Sequence, residues 1–321
     1  MRILANDGID ASGKIALEAA GHEVLTDNVA QVELAQFIND NSIDGLLVRS
    51  ATTVRVELID QCTNLKFVGR GGVGIDNIDA AYAREKGIVV FNTPASSSAS
   101  VAELVMSMMF ASARFVYSAG KEMPTSGHDK FAALKKSFSK GVELRGKTLA
   151  IVGLGRIGQS LASYALGCGM KVIAVDRSGD ASRSIEVMLN GNVFKVDVPL
   201  VNMEEVFAQA DYISLHVPKQ PNGAAVFGKE EMLKMKKGVV LINTSRGGVI
   251  DEAALIEMLD ARHVGVACLD VFVNEPQPRA DLIQHTSVIA TPHIGASTAE
   301  AQVRIGLEIA ENVAQIASKL S

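Results

Sequence analysis

Three short segments in the C-terminal half carry residues that could do chemistry together. Thr244-Ser-Arg-Gly-Gly-Val-Ile-Asp-Glu252 offers Arg246, Asn274-Glu-Pro276 offers Glu275, and Thr291-Pro-His-Ile-Gly-Ala-Ser-Thr298 offers His293. Each lies at the end of an apolar run. A reaction at C2 of a 2-hydroxy or 2-keto acid needs a cation for the carboxylate and carbonyl. It also needs a proton donor at the C2 oxygen that can take the proton back. An imidazole fills that role, and a carboxylate beside it sets its tautomer. Arg246, Glu275 and His293 meet the need if the fold brings them together. His22, His128, His216, His263 and His285 lack such neighbours, and His216, in Leu215-His-Val-Pro218 beside the cofactor fold, reads as structural.

A second constellation lies upstream. The buried-strand run Thr148-Leu-Ala-Ile-Val152 leads into Gly153-Leu-Gly155-Arg156-Ile157-Gly158, and a helical stretch follows from Gln159. Gly153 permits a tight turn, Gly155 lets the backbone approach a pyrophosphate, and Gly158 lets helix and strand pack closely. Asp176 ends the next strand, 23 residues after Gly153. Strand, glycines and an acid at that offset form a dinucleotide-binding fingerprint. A carboxylate there accepts from both ribose hydroxyls and repels a 2′-phosphate, which favours NAD over NADP; Arg177 beside it works the other way. A similar string, Gly69-Arg70-Gly71-Gly72-Val-Gly74, has no such acid. It reads as a loop of exposed amides with one cation, able to hold a carboxylate or phosphate. Arg49 and Ser50, ending the preceding strand, can join it.

The elements that must position these residues alternate along the chain. Strands are expected at Arg2–Ala5, His22–Leu25, Gly45–Arg49, Phe67–Gly69 and Val89–Asn92, with helices between them at 11–20, 31–40, 54–62 and 78–86. A long apolar helix is expected from Ser97 to Phe115, then a polar connector over 120–146. A second alternation runs through Thr148–Val152, Lys171–Val175, Tyr212–Val217, Val239–Thr244, Val264–Val271 and Ser287–Ala290, with helices between. An amphipathic helix closes the chain near 298–319, with Ile305, Ile309, Val313 and Ile316 in register. Such alternation implies parallel sheets flanked by helices. The expected class is α/β, with two Rossmann-like or flavodoxin-like domains and the active site in the cleft between them. Residues 1–96 with 296–321 would form the substrate domain, and 97–295 the NAD-binding domain.

The 321 residues are too many for one ordinary core. With 31 basic and 36 acidic residues the net charge is −5, which gives no reason to expect nucleic acid as a partner. Cys62, Cys168 and Cys268 make no metal-type pair and read as apolar fillers in a reducing compartment. No segment reads as a signal peptide or membrane span, so a soluble cytoplasmic protein is expected.

In combination these segments resemble the D-isomer-specific 2-hydroxyacid dehydrogenases, most of all their D-3-phosphoglycerate dehydrogenase branch. The likeness runs through Val48-Arg-Ser-Ala-Thr-Thr53, Val68 to Asp79, Asn92-Thr-Pro94, Lys147 to Gly158, Asn243 to Glu252, Asn274-Glu-Pro276 and Thr291 to Ser297. It implies Arg246 as the substrate-orienting cation, Glu275 as the partner of the histidine and His293 as the acid/base. Beside the glycines of the fingerprint, Gly153, Gly155 and Gly158, it implies Arg156, Ile157 and Asp176 on the cofactor, Asp270 near the nicotinamide amide, and Arg49, Ser50, Arg70, Gly71 and Gly72 at the substrate's anionic end. Val73, the stretch from Leu215 to Gln220 and the absence of tryptophan depart from the family pattern. The expected reaction is NAD-dependent oxidation of D-3-phosphoglycerate to 3-phosphohydroxypyruvate, a step of serine biosynthesis. The alternatives are a hydroxypyruvate or glyoxylate reductase of the same family and a non-catalytic NAD-sensing binding protein. No metal and no membrane or nucleic-acid partner is expected. The helix from Ser97 to Phe115 is expected at the interface of a homodimer or higher homo-oligomer.

Overall fold

The computed structural model describes residues 1–320. The chain divides into two compact units, Met1–Ser100 with Ala296–Ser321, and Val101–Gly295. The first begins with β1 (Arg2–Ala5), α1 (Ala11–Ala19), β2 (Glu23–Leu25), α2 (Leu34–Asp40), β3 (Gly45–Val48), α3 (Val56–Gln61), β4 (Phe67–Arg70), α4 (Ala80–Glu85) and β5 (Val89–Asn92). Its strands are parallel in the order β2-β1-β3-β4-β5, the flavodoxin-like arrangement. Short aliphatic strands such as the fully buried Gly45–Val48 suit a sheet covered on both faces.

The second unit takes in α5 (Ser98–Arg114) from Val101 onward, α6 (Val116–Ser137), β6 (Thr148–Val152), α7 (Arg156–Gly167), β7 (Lys171–Val175), β8 (Ser182–Leu189), β9 (Asn192–Pro199), α8 (Met203–Gln209) and β10 (Tyr212–Leu215). It continues through α9 (Lys229–Lys234), β11 (Val239–Asn243), α10 (Glu252–Asp260), β12 (Val264–Leu269), α11 (Ala280–Ile283) and β13 (Val288–Ala290). Its parallel sheet runs β13-β12-β11-β10-β6-β7. This is the dinucleotide-binding order with the outer strand reduced to a single bridge, Leu200 beside Ala174. α12 (Ala299–Leu320) belongs to the first unit. Its Ile305, Ile309, Val313 and Ile316 are buried with Ile3, Ala5, Leu17, Leu47 and Phe67. Gly306 and Gly13 let α12 and α1 touch backbone to backbone: a Cβ on Gly13 would lie 2.5 Å from Gly306 Cα.

Two segments depart from the expected pattern. Residues 120–146 are not simply a connector, because α6 carries the helix on to Ser137. Gly120, Pro124 and Gly127 speak against a helix, but Lys, Ala and Leu dominate its last two turns and favour one. Lys121 over the Tyr117 ring, 4.2 Å away, adds an i,i+4 contact. The chain turns between α5 and α6 at Phe115, whose φ is 56°, and no single helix among the described residues is long and apolar enough to cross a membrane. The second departure follows β7. Where a helix is expected, β8 and β9 form an antiparallel hairpin closed by Asn190-Gly191, with φ of 50° and 79°. Those angles make the type I′ turn that Asn-Gly favours.

The apolarity of α5 also has an internal cause. Val101, Val105, Met108 and Met109 are buried, while Phe110 stays 45% exposed.

Candidate active site

The sheet order sets the carboxyl ends of β11, β12 and β13 side by side. Ligands in open α/β sheets bind at such ends. Arg246, Asp270 and His293 each follow one of these strands within three residues. Glu275 lies in the loop after β12.

His293 and Glu275 meet: Nδ1 is 2.7 Å from Oε2. The other carboxylate oxygen, Oε1, accepts from the Phe272 amide at 2.8 Å, which fixes the carboxylate plane. An ionised carboxylate can only accept, so Nδ1 carries the proton and the lone pair lies on Nε2. The imidazole is 43% exposed, so it can reach a substrate. Its backbone is left-handed, with φ 55°, a conformation that costs a non-glycine residue about 1–3 kcal/mol. Asp270 holds it there. This carboxylate, 1% exposed, accepts from Thr291 Oγ1 at 2.6 Å and from the amides of Ile294 and Gly295 at 2.8 Å each. Asp270, for which the sequence resemblance implied a role at the nicotinamide amide, thus clamps the turn that presents His293.

Arg246 rides on a turn folded by the buried Asn243. Asn243 Oδ1 accepts from the Ser245 amide at 3.0 Å, and its Nδ2 donates to the Arg246 carbonyl at 2.9 Å. Arg246 Nη1 donates to the Ser245 carbonyl at 2.6 Å. Gly247 serves packing rather than ligand approach, since a Cβ there would lie 1.8 Å from the Phe272 carbonyl. Beside this turn, Thr244 Oγ1 is buried without a hydrogen-bond partner, a polar atom that a ligand would satisfy.

The glycine turn fits a dinucleotide. Gly153 has φ 98°, and a Cβ on it would lie 2.4 Å from the His216 carbonyl; one on Gly158 would lie 2.4 Å from the Gly153 carbonyl. A Cβ on Gly155 would meet nothing within 4 Å beyond its own turn, so the backbone there is open to a pyrophosphate. α7 starts at Arg156 with no side chain capping its amides, whereas Asn202 and Asp251 cap α8 and α10. Open amides at a helix N-terminus suit an anion. Asp176 follows β7 and accepts from the Leu154 amide at 3.2 Å. His216, at the end of β10, is driven down to about 4 by burial, and its Nε2 pairs with Ser214 Oγ at 2.9 Å.

In the first unit, the loop of Gly71 and Gly72 differs from expectation. Gly71 donates its amide to the Val48 carbonyl at 3.0 Å and Gly72 to Thr93 Oγ1 at 2.8 Å. The β3–β4 ladder continues as far as Gly71 and the Thr93 hydroxyl takes the Gly72 amide, so neither is an open donor. Arg70 donates Nε to the Arg49 carbonyl at 3.2 Å and Nη1 to the Gly74 carbonyl. The Arg49 amide is held by Asp7 at 2.6 Å. Arg49, Ser50 and Arg70 all lie at or just past the carboxyl ends of β3 and β4.

One residue beside the cofactor fingerprint escaped the sequence reading. Arg183, on β8, reaches Asp176 and the glycine turn. The signal that could have found it was Asn190-Gly191 between alternating apolar residues, which marks a hairpin.

Comparison with known proteins identifies the group to which this arrangement belongs. Residues 106–295 match the family model described as D-isomer specific 2-hydroxyacid dehydrogenase, NAD binding domain. The chain is 41% identical over 318 residues to a hydroxypyruvate reductase of Thermotoga maritima, covering 97% of each. It is 40% identical over 320 residues to the D-3-phosphoglycerate dehydrogenase of Bacillus subtilis, covering 99% of this chain but 57% of that relative. A crystal structure of a glyoxylate reductase from Paecilomyes thermophila superimposes with a TM-score of 0.81 at 26% identity, over 98% of this chain and 94% of the other. A match of this extent, on a strand–turn–helix fitted for a nicotinamide dinucleotide, makes the chain a member of the D-isomer specific 2-hydroxyacid dehydrogenase family.

Proposed function

We propose that the protein oxidises D-3-phosphoglycerate to 3-phosphohydroxypyruvate with NAD. The observation that carries the chemistry is the His293–Glu275 contact of 2.7 Å, which leaves Nε2 as a base in a solvent-reachable imidazole. A bound nicotinamide supplies the two-electron exchange at C2. The protein's part is the proton and the charge. The C2 hydroxyl proton passes to Nε2 of His293 as the C2–O bond becomes a carbonyl. The imidazolium is stabilised by the Glu275 carboxylate and returns the proton in the reverse direction. Arg246 neutralises the substrate carboxylate and polarises the C2 oxygen. Asp270 keeps the histidine turn in its left-handed conformation throughout.

The substrate choice rests on a second cationic group. 3-Phosphoglycerate is anionic at both ends, and Arg246 can neutralise one. Arg49 and Arg70, at the carboxyl ends of β3 and β4, supply the cations for the other. A hydroxypyruvate reductase is the second reading, favoured by the Thermotoga relative that matches over 97% of both chains. The discriminating experiment compares Arg70→Ala with the wild type on 3-phosphoglycerate and on an unphosphorylated D-2-hydroxy acid. Loss of a charge-assisted phosphate contact, about 1.5–3 kcal/mol, raises KM for the phosphorylated substrate by roughly 10- to 100-fold and leaves the other nearly unchanged. Equal effects would place Arg70 at the common carboxylate and favour the reductase.

The active form is proposed to be a homodimer. The supporting observation is the exposed apolar set on α5 and α6: Phe110, Val116, Met123 and Phe131 are 45–60% exposed. Light scattering at micromolar concentration should give twice the mass of one chain; a monomer would exclude this part of the reading.

A further inference from the structure

The hairpin between β7 and α8 brings a cation into the adenosine end of the dinucleotide fingerprint. Arg183 lies on the hairpin face that also carries Ile185 and Val187, and both of these are buried. The alternation of the strand therefore turns the guanidinium inward. Nη1 lies 3.3 Å from Asp176 Oδ2 and 3.1 Å from the Leu154 carbonyl, and Nη2 lies 3.4 Å from Asp176 Oδ1. Leu154 is the residue between Gly153 and Gly155. One side chain thus bridges the glycine turn and the strand-end acid. The pair is partly sheltered, with Arg183 29% and Asp176 19% exposed.

Asp176 on its own would discriminate strongly against NADP. It would offer free lone pairs to two ribose hydroxyls and a full negative charge to a 2′-phosphate. Neither condition holds in this pocket. Asp176 Oδ2 accepts from the Leu154 amide and from Arg183, and Oδ1 from the Ser178 amide and from Arg183. Ribose hydroxyls must compete with Arg183 for the same oxygens, and the pair has no net charge. The contacts of 3.3–3.4 Å are long for a charge-assisted fork, which closes to about 2.7–2.9 Å at its best. A guanidinium held this loosely can exchange its carboxylate partner for a phosphate, whose geometry matches its fork.

We propose that Arg183 is a cofactor-specificity residue. It weakens the preference for NAD that Asp176 alone would impose, and it is the group that receives the 2′-phosphate when NADP binds. This rests on the reading that Asp176 faces the adenosine ribose, and the test separates the two ideas.

The protein has no tryptophan, so the fluorescence enhancement of the reduced cofactor itself reports binding. Dissociation constants for NADH and NADPH are measured at one ionic strength for the wild type, Arg183→Ala, Arg183→Gln and Asp176→Ala. Arg183→Gln keeps a polar side chain of partial length on the hairpin face, and thermal melts check both Arg183 variants. The expected result is a ratio Kd(NADPH)/Kd(NADH) that rises at least about tenfold in both Arg183 variants, as for loss of a charge-assisted contact, and falls in Asp176→Ala. If Asp176→Ala lowers the ratio while the Arg183 variants leave it unchanged or lower it, Arg183 only braces the hairpin; the proposal is overturned and the ribose reading stands. If no variant moves the ratio, Asp176 does not face the ribose, and both ideas fall.

Discussion

Glu275 divides its oxygens between the Phe272 amide and the His293 imidazole. That division yields a sharp prediction for Glu275→Gln. The amide oxygen can keep the Phe272 contact, but its NH2 group then faces Nδ1 and must donate to it. The histidine is forced into the opposite tautomer, with its proton on Nε2, and cannot accept the substrate's hydroxyl proton. Turnover in the oxidation direction should fall by about two to four orders of magnitude with little change in cofactor affinity. Steady-state kinetics and a cofactor titration check this; a loss below tenfold would uncouple the two residues. His293 and Glu275 were legible in the sequence because each sits at the end of an apolar run in one fold unit. The role of Asp270 as a clamp was not legible. Its three donors, on Thr291, Ile294 and Gly295, lie more than twenty positions away in the chain, and only the pairing of β12 with β13 brings them near.

At the scale of elements, parallel strands announced themselves through aliphatic runs, and β1, β5, β6 and β7 fall at the expected residues. The misses have two causes. α6 contains residues of low helix propensity, and β8 and β9 carry mixed polar and apolar residues because much of the hairpin is exposed. Burial patterns speak loudly only where both faces are covered. Helix α12 was legible from its period, but its closeness to α1 was not, because Gly13 and Gly306 become meaningful only when the helices are seen to touch. Gly306→Val should therefore force α12 away from α1. The overpacking should lower unfolding stability by about 1–3 kcal/mol in a denaturant titration. An unchanged midpoint would mean that the two helices can separate at no cost.

For the whole molecule, a half-buried histidine makes stability depend on pH. Burial holds His216 at about 4 in the folded chain, below the unfolded value near 6.5. As pH falls below about 6.5 the unfolded chain binds the proton first, so stability declines until the folded pKa is reached. The stability difference between the wild type and His216→Asn should shift in this window by up to about 1.4 kcal/mol per pH unit, and stay flat above pH 7. A difference that is constant from pH 7 to pH 4.5 would mean that His216 is charged or solvated in the folded state.

The most direct test of catalysis concerns His293. In His293→Gln the side chain can still hydrogen-bond but cannot exchange a proton. Under the proposed reaction, its kcat for D-3-phosphoglycerate oxidation should be at least about 100-fold below that of the wild type, while the Kd for NADH stays within about threefold. Near-normal turnover with intact cofactor binding would contradict the assignment of the His293–Glu275 pair as the acid/base of this enzyme.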